Sequence, residues 1–139
     1  MVSDRPQLMV LPEIRNEHGA IGIVEPRQMS FPFEIKRAYW LYDLELGEQR
    51  GFHAHRTLKQ LFIAVSGSIK VALDDGLGSI DDYILHSPRT ALYVPSGNWK
   101  LIETTENSSI LLVLASAEFD ESDYLRNYDD FLNWKTGTA

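Results

Sequence analysis

Two histidines one residue apart, His53 and His55, are the side chains of this chain best suited to moving protons. An imidazole has an unperturbed pKa of about 6.5, close to working pH, so it serves well as a general base. On an extended strand, alternate side chains share a face. Both rings would therefore point to one side of a sheet. Gln60 follows five residues after His55, and the run Leu-Phe-Ile-Ala-Val leads from it toward Gly67. That run is apolar and β-prone. The segment from Gly47 to Gly67 reads as a strand, a short loop, a second strand and a turn, with the histidines aimed into an interior. Pro95-Ser-Gly97 is a further turn signal, with Lys100 three residues beyond it.

Other elements must position these groups. Ile35 to Asp43 reads as a strong strand, with Ile35, Arg37, Tyr39 and Leu41 on one face and Lys36, Ala38, Trp40 and Tyr42 on the other. Leu8 to Leu11 and Ala20 to Glu25 are short strand candidates closed by prolines, and Arg15 to Gly19 is a turn signal. Beyond Gly67, strands are expected over 68–73, 80–85, 90–94, 100–104 and 109–115, with a hairpin turn at Asp74-Asp-Gly76. Many short strands with turn residues between them indicate a sandwich or barrel. The tail changes period. Tyr124, Tyr128, Phe131 and Leu132 lie at helical spacing, which predicts one short helix within Glu121 to Trp134, capped by Asp120 or Ser122.

At 139 residues and 44% hydrophobic content, the chain is expected to form one domain over 1–139 around one core. Its net charge is −7 with no basic run, which argues against nucleic acid and anionic membrane as partners. There is no cysteine, so disulfides and thiolate chemistry are excluded. No apolar signal core opens the sequence and no run approaches membrane-spanning length, so the cytoplasm is the expected location.

The spacing Gly47, His53, His55, Gln60, Gly67 resembles the first motif of the cupin superfamily, with glutamine at the usual glutamate. Pro95-Ser-Gly97 through Lys100 resembles the second motif, with lysine at the usual histidine. More narrowly, the chain resembles the dTDP-sugar 3,4-ketoisomerases of that superfamily. The likeness rests on Ile35-Lys-Arg-Ala-Tyr39, Arg50-Gly-Phe-His-Ala-His55, Leu73-Asp-Asp-Gly76, Leu92-Tyr-Val94 with Trp99, and Val113-Leu-Ala-Ser116. The stretch Phe119 to Phe131 extends it over nearly the whole chain.

That resemblance implies an all-β cupin jelly roll with a short C-terminal helix, assembled as a homodimer. It implies action on dTDP-4-keto-6-deoxy-D-glucose, yielding a 3-keto isomer for amino sugars of surface glycans such as lipopolysaccharide. By the same resemblance His53 is the base and His55 its partner, orienting the sugar or shuttling protons. Tyr39 is the donor to the enediol oxygen, Arg37 and Arg50 are the candidates for the diphosphate, and Trp99 and Gln60 line the substrate. Many relatives carry Arg or Tyr where His18 stands, and His or Arg where Lys100 stands. If both positions line the sugar end, they govern how C4 is reprotonated. No metal or other cofactor is expected: an amide oxygen is a poor ligand for a transition metal, and an ammonium repels a cation. A metal-dependent cupin enzyme and a non-catalytic sugar-nucleotide binding module are the alternative readings.

Overall fold

A computed structural model describes residues 4–137. In chain order the strands are β1 (Gln7–Val10), β2 (Glu13–Asn16), β3 (Gly19–Gly22), β4 (Arg37–Leu44), β5 (Gln49–His55), β6 (Gln60–Ser66), β7 (Ile69–Asp74), β8 (Ile80–Leu85), β9 (Thr90–Val94), β10 (Trp99–Thr104), β11 (Ser109–Ala115) and β12 (Tyr124–Leu125), followed by the helix α1 (Tyr128–Thr136). Two five-stranded antiparallel sheets face each other. One has the order β1-β9-β6-β11-β4 and the other β12-β5-β10-β7-β8. The β2–β3 hairpin stands apart from both. This is the expected jelly roll, as an open sandwich rather than a closed barrel.

Side-chain alternation decides which face each strand buries. In β7, Ile69, Val71 and Leu73 are buried, while Lys70, Ala72 and Asp74 are only partly so. Those three pack with Phe62, Leu92, Leu111 and Val113 of the opposite sheet to form the central core. β6 lies between β9 and β11 and is buried on both faces over 60–64, which explains its unbroken apolar run. The outer face of the first sheet is covered by Val24, Met29, Phe31, Phe33 and Ile35, packed on Leu61, Ile63 and Tyr93. The outer face of the second is covered by α1, whose Phe131 packs with Ala54, Leu125 and Trp99.

Several boundaries differ from the sequence expectation. The strand expected over Ile35 to Asp43 begins at Arg37, and Ile35 turns to the outer cluster instead of sharing the face of Tyr39. The turn signal at Arg15 to Gly19 conceals β2, whose residues pair with β3 in a tight hairpin. The turn after β7 runs from Asp75 to Ser79, because Asp75 Oδ1 accepts from the amides of Leu77 and Ser79. The expected tail helix is split. Asp120 caps only a 3-10 turn at Glu121–Asp123, Tyr124 and Leu125 pair with His55 and Ala54, and Asn127 caps the α-helix proper. Edge pairing with β5 overrides the helical spacing at Tyr124.

One irregularity positions the histidines. β5 and β10 pair His53 with Lys100 but Gly51 with Leu101, so Phe52 is an extra residue in β5. This β-bulge puts two successive residues at positive φ, Gly51 at 99° and Phe52 at 57°. A Cβ on residue 51 would stand 2.7 Å from the carbonyl oxygen of Lys100, so only glycine fits there. The Gly51→Ala variant is expected to lose about 1–3 kcal/mol of stability from backbone strain and the forced approach. Urea denaturation of the two proteins measures it; equal midpoints would show that the bulge tolerates a side chain.

Candidate active site

Between the sheets, on the side of β4 and β5, lies a cavity of about 770 Å³. β4 contributes Arg37 and Tyr39, β5 contributes Arg50 and His53, β6 contributes Gln60, and β10 contributes Lys100. Six residues scattered over sixty positions of sequence thus reach one chamber. Tyr124 and Arg126, from the segment around β12, complete its wall.

His53 gains its orientation from the bulge. Its Nδ1 lies 2.9 Å from the Gly51 carbonyl oxygen, an acceptor only, so Nδ1 carries the proton and donates. The lone pair is therefore on Nε2. Burial lowers the pKa of this ring from 6.5 to about 4, helped by the charge of Lys100 and opposed by the Gly51 hydrogen bond. At neutral pH His53 is an unprotonated base held in one tautomer.

Tyr39 is fixed by Gln60, whose Nε2 donates to its hydroxyl oxygen at 2.8 Å. The phenolic proton is then free for another acceptor. Burial raises the Tyr39 pKa to about 12, with the nearby Tyr124 adding to the effect, so the group is a neutral donor. The guanidinium carbon of Arg37 sits 5.0 Å from the centre of the Tyr39 ring, and its buried Nε has no hydrogen-bond partner. Lys100 is 2% exposed. Burial lowers its pKa from 10.5 to about 7, and the charge of Asp123 opposes that shift. It is an amine poised between its two protonation states.

His55 lies behind this wall. It is 2% exposed and borders a separate recess of about 50 Å³, not the main chamber. Its ring packs edge-on to His53 with centroids 5.1 Å apart. Tyr124 covers both rings, at 5.0 Å from His53 and 4.3 Å from His55. Burial, with Lys100 next in weight, drives the His55 pKa down to about 2.

Besides His55, two of the sequence candidates stay out of the chamber. Trp99 alternates with Lys100 along β10, so it takes the opposite face and packs against Tyr128 and Phe131 beneath α1. His18 sits at the tip of the β2–β3 hairpin, exposed and 3.3 Å from Glu17. Three residues of the site were not anticipated. The helical spacing puts Tyr124 and Arg126 within a helix and Asp123 in its first turn, which gives none of the three a place in the site. The strongest signal for them was the dense acidic and aromatic stretch Asp120-Glu-Ser-Asp-Tyr, which is more polar than a packing helix needs. Arg126 is clasped by Glu121 at 2.7 and 2.9 Å and lies over the Tyr124 ring. Among the described residues no group of three or more His, Cys, Asp or Glu is arranged to hold a metal ion, and no helix is long and apolar enough to cross a membrane.

The family model FdtA: WxcM-like, C-terminal, matches residues 4–136. This chain belongs to that family. Over 119 residues it is 39% identical to a TDP-4-oxo-6-deoxy-alpha-D-glucose-3,4-oxoisomerase of Aneurinibacillus thermoaerophilus, a match covering 86% of this chain and 84% of the relative. The WlaRB TDP-quinovose 3,4-ketoisomerase of Campylobacter jejuni is 36% identical, with a TM-score of 0.85 over 92% of this chain and 97% of its own. The 3,4-ketoisomerase QdtA of Thermoanaerobacterium thermosaccharolyticum is 29% identical. A histidine-to-asparagine mutant of it, in complex with TDP-4-keto-6-deoxyglucose, superposes with a TM-score of 0.89 over 99% of this chain and 97% of its own. A 3,5-epimerase of Bacillus anthracis, 16% identical with a TM-score of 0.76, shares the fold.

The burial of the WxcM-like histidine pair fixes a pH dependence. Both folded-state pKa values lie below 6.5. Between about 4 and 6.5 the unfolded chain therefore binds more protons than the native one, and stability falls as pH falls through that window. Urea midpoints at pH 7 and pH 4.5 should show a loss for the native sequence. The loss should be smaller for His53→Asn/His55→Asn, because His18 and His86 are exposed and common to both proteins. An undiminished loss in the double variant would mean that other groups carry the effect.

Proposed function

We propose that this chain is a sugar-nucleotide 3,4-ketoisomerase, converting dTDP-4-keto-6-deoxy-D-glucose to its 3-keto isomer by histidine acid–base catalysis. The single observation that carries the mechanism is the hydrogen bond from His53 Nδ1 to the Gly51 carbonyl, which leaves Nε2 as a base in a substrate-sized chamber. The activities of the relatives described above support the reaction class.

A ketone at C4 acidifies the proton on C3. His53 Nε2 takes that proton, and the developing enediolate oxygen receives the Tyr39 hydroxyl, whose proton is free because Gln60 already donates to its oxygen. A proton then goes to C4, the C4 oxygen takes the Tyr39 proton, and the C3 hydroxyl returns its proton to Tyr39, leaving the ketone at C3 and a hydroxyl at C4; the proton on His53 replaces the one delivered to C4. Atoms and electrons balance without an oxidant. Lys100, close to half-protonated at neutral pH, is the candidate donor to C4, so its replacement of the usual residue bears on product configuration. Arg37, Arg50 and Arg126 supply positive charge for the diphosphate. Gln60 and Lys100, standing where a metal site would need a carboxylate and an imidazole, support a reaction that needs no metal.

The chain also suits a homodimer, working in the cytoplasm on precursors of surface glycans. Edge strand β1 exposes Leu8 and Val10, the outer face of β4 exposes Trp40 and Tyr42, and the hairpin exposes Ile14 and Ile21. In such a dimer the hairpin is the element able to carry His18 toward a partner's chamber. Light scattering should give twice the monomer mass; a stable monomer would remove the dimer and with it any substrate contact for His18.

The test of function is incubation with dTDP-4-keto-6-deoxyglucose in deuterated water, followed by NMR. A 3-keto product with deuterium confined to C3 or C4 is expected, and excess EDTA should not slow it. Deuterium at C5 would indicate a 3,5-epimerase, and saturable binding without any incorporation would indicate a binding module. His53→Asn is expected to lower kcat by about 10²-fold or more while the fold is retained. A near-normal rate would remove His53 as the base.

A further inference from the structure

The two histidines are held differently. The tautomer of His53 is set by a backbone carbonyl. His55 has no hydrogen-bond partner at either ring nitrogen, although both are buried. Such a group is costly to leave without an electrostatic partner. One acidic oxygen stands close: Oδ2 of Asp123, 3.6 Å from Nδ1 of His55. At neutral pH His55 is uncharged, so this contact is a neutral ring against a carboxylate and not an ion pair.

The carboxylate is held firmly. Its Oδ1 accepts from the Thr57 amide at 2.9 Å and the Thr57 hydroxyl at 2.7 Å, and its Oδ2 from the Leu58 amide at 3.0 Å. The Asp123 carbonyl accepts from the Arg56 amide, and the Arg56 guanidinium donates to the carbonyls of Ser122 and Tyr124. The segment 122–124 is thus clamped onto the loop that follows His55, and Tyr124 pairs directly with His55 in the β12–β5 ladder. A lone pair on Nδ1 facing that fixed negative charge would be repelled, whereas an N–H would be attracted.

We propose that Asp123 is a positioning residue that keeps the His55 proton on Nδ1, leaving Nε2 as a hydrogen-bond acceptor behind the catalytic wall. Asp123 also favours the charged form of Lys100, so one carboxylate biases both the ring and the amine. The consequence for turnover rests on the ketoisomerase reading; the tautomer does not.

The test begins with the free native protein. Long-range proton–nitrogen NMR of histidine labelled with ¹⁵N, with His55 identified by loss of its signals in His55→Gln, reads the tautomer directly. Nδ1–H is expected, and Nε2–H would overturn the proposal whether or not any variant folds. Asp123→Asn keeps an acceptor for Thr57 but can present an amide donor to Nδ1. It should shift His55 toward Nε2–H and lower kcat on the order of tenfold or more, with KM within about twofold. An unchanged tautomer in that variant would overturn the assignment, and a shifted tautomer with native kcat would overturn its catalytic role. If the native protein does not turn over the keto sugar, the ketoisomerase reading fails while the tautomer result still stands.

Discussion

A lysine carried into the interior of a β-sandwich sets the electrostatics of this site. Removing an ammonium from water disfavours its charged form, and the same burial disfavours charge on the imidazoles around it. The charge of Lys100 also opposes protonation of both histidines, and His53 opposes that of His55. The result is a group of nitrogen bases that remain largely or partly unprotonated at neutral pH. Asp123 is the fixed negative charge that keeps the lysine from being fully discharged. Desolvation makes each of these nitrogens a weaker base but keeps its lone pair free at neutral pH.

Geometry is supplied by the backbone. A regular β5 would pair residue for residue with β10. The extra residue, Phe52, breaks the alternation just before His53 and places the Gly51 carbonyl where the ring can donate to it. The same bulge exposes Phe52 on the opposite face. Tyr39 is treated similarly by Gln60, a side chain at the buried start of β6. In both cases a neutral hydrogen bond decides which atom of a reactive group meets the chamber, at little electrostatic cost.

Much of this was legible in the sequence. Period-two alternation located β7 and the buried face of β4 and put His53 on an inward-facing position, while the likeness to the cupin motifs put Gln60 and Lys100 there. Arg37 and Tyr39 were found because they share a strand face. The failures have physical causes. Trp99 sits beside Lys100 in a motif, but adjacent strand residues face opposite ways, so it went to the helix side. His55 does point inward, yet Tyr124 covers it, and that cover comes from a strand of two residues with no pattern of its own. Asp123 was invisible as a functional group because its partners, Thr57 and Leu58, lie about 66 positions away in a loop. No local signal encodes a contact of that range.

That separation has a bearing on how the molecule is made. Ribosomes deliver a polypeptide from its amino end, so both sheets can begin to assemble while 122–126 are still unmade. The nascent protein would then hold an open trough with its imidazoles wet and protonatable. Only the arrival of the carboxy-terminal clasp would dry them. A chain missing the clasp would lack the ring that covers both imidazoles and the carboxylate that favours the charge on Lys100.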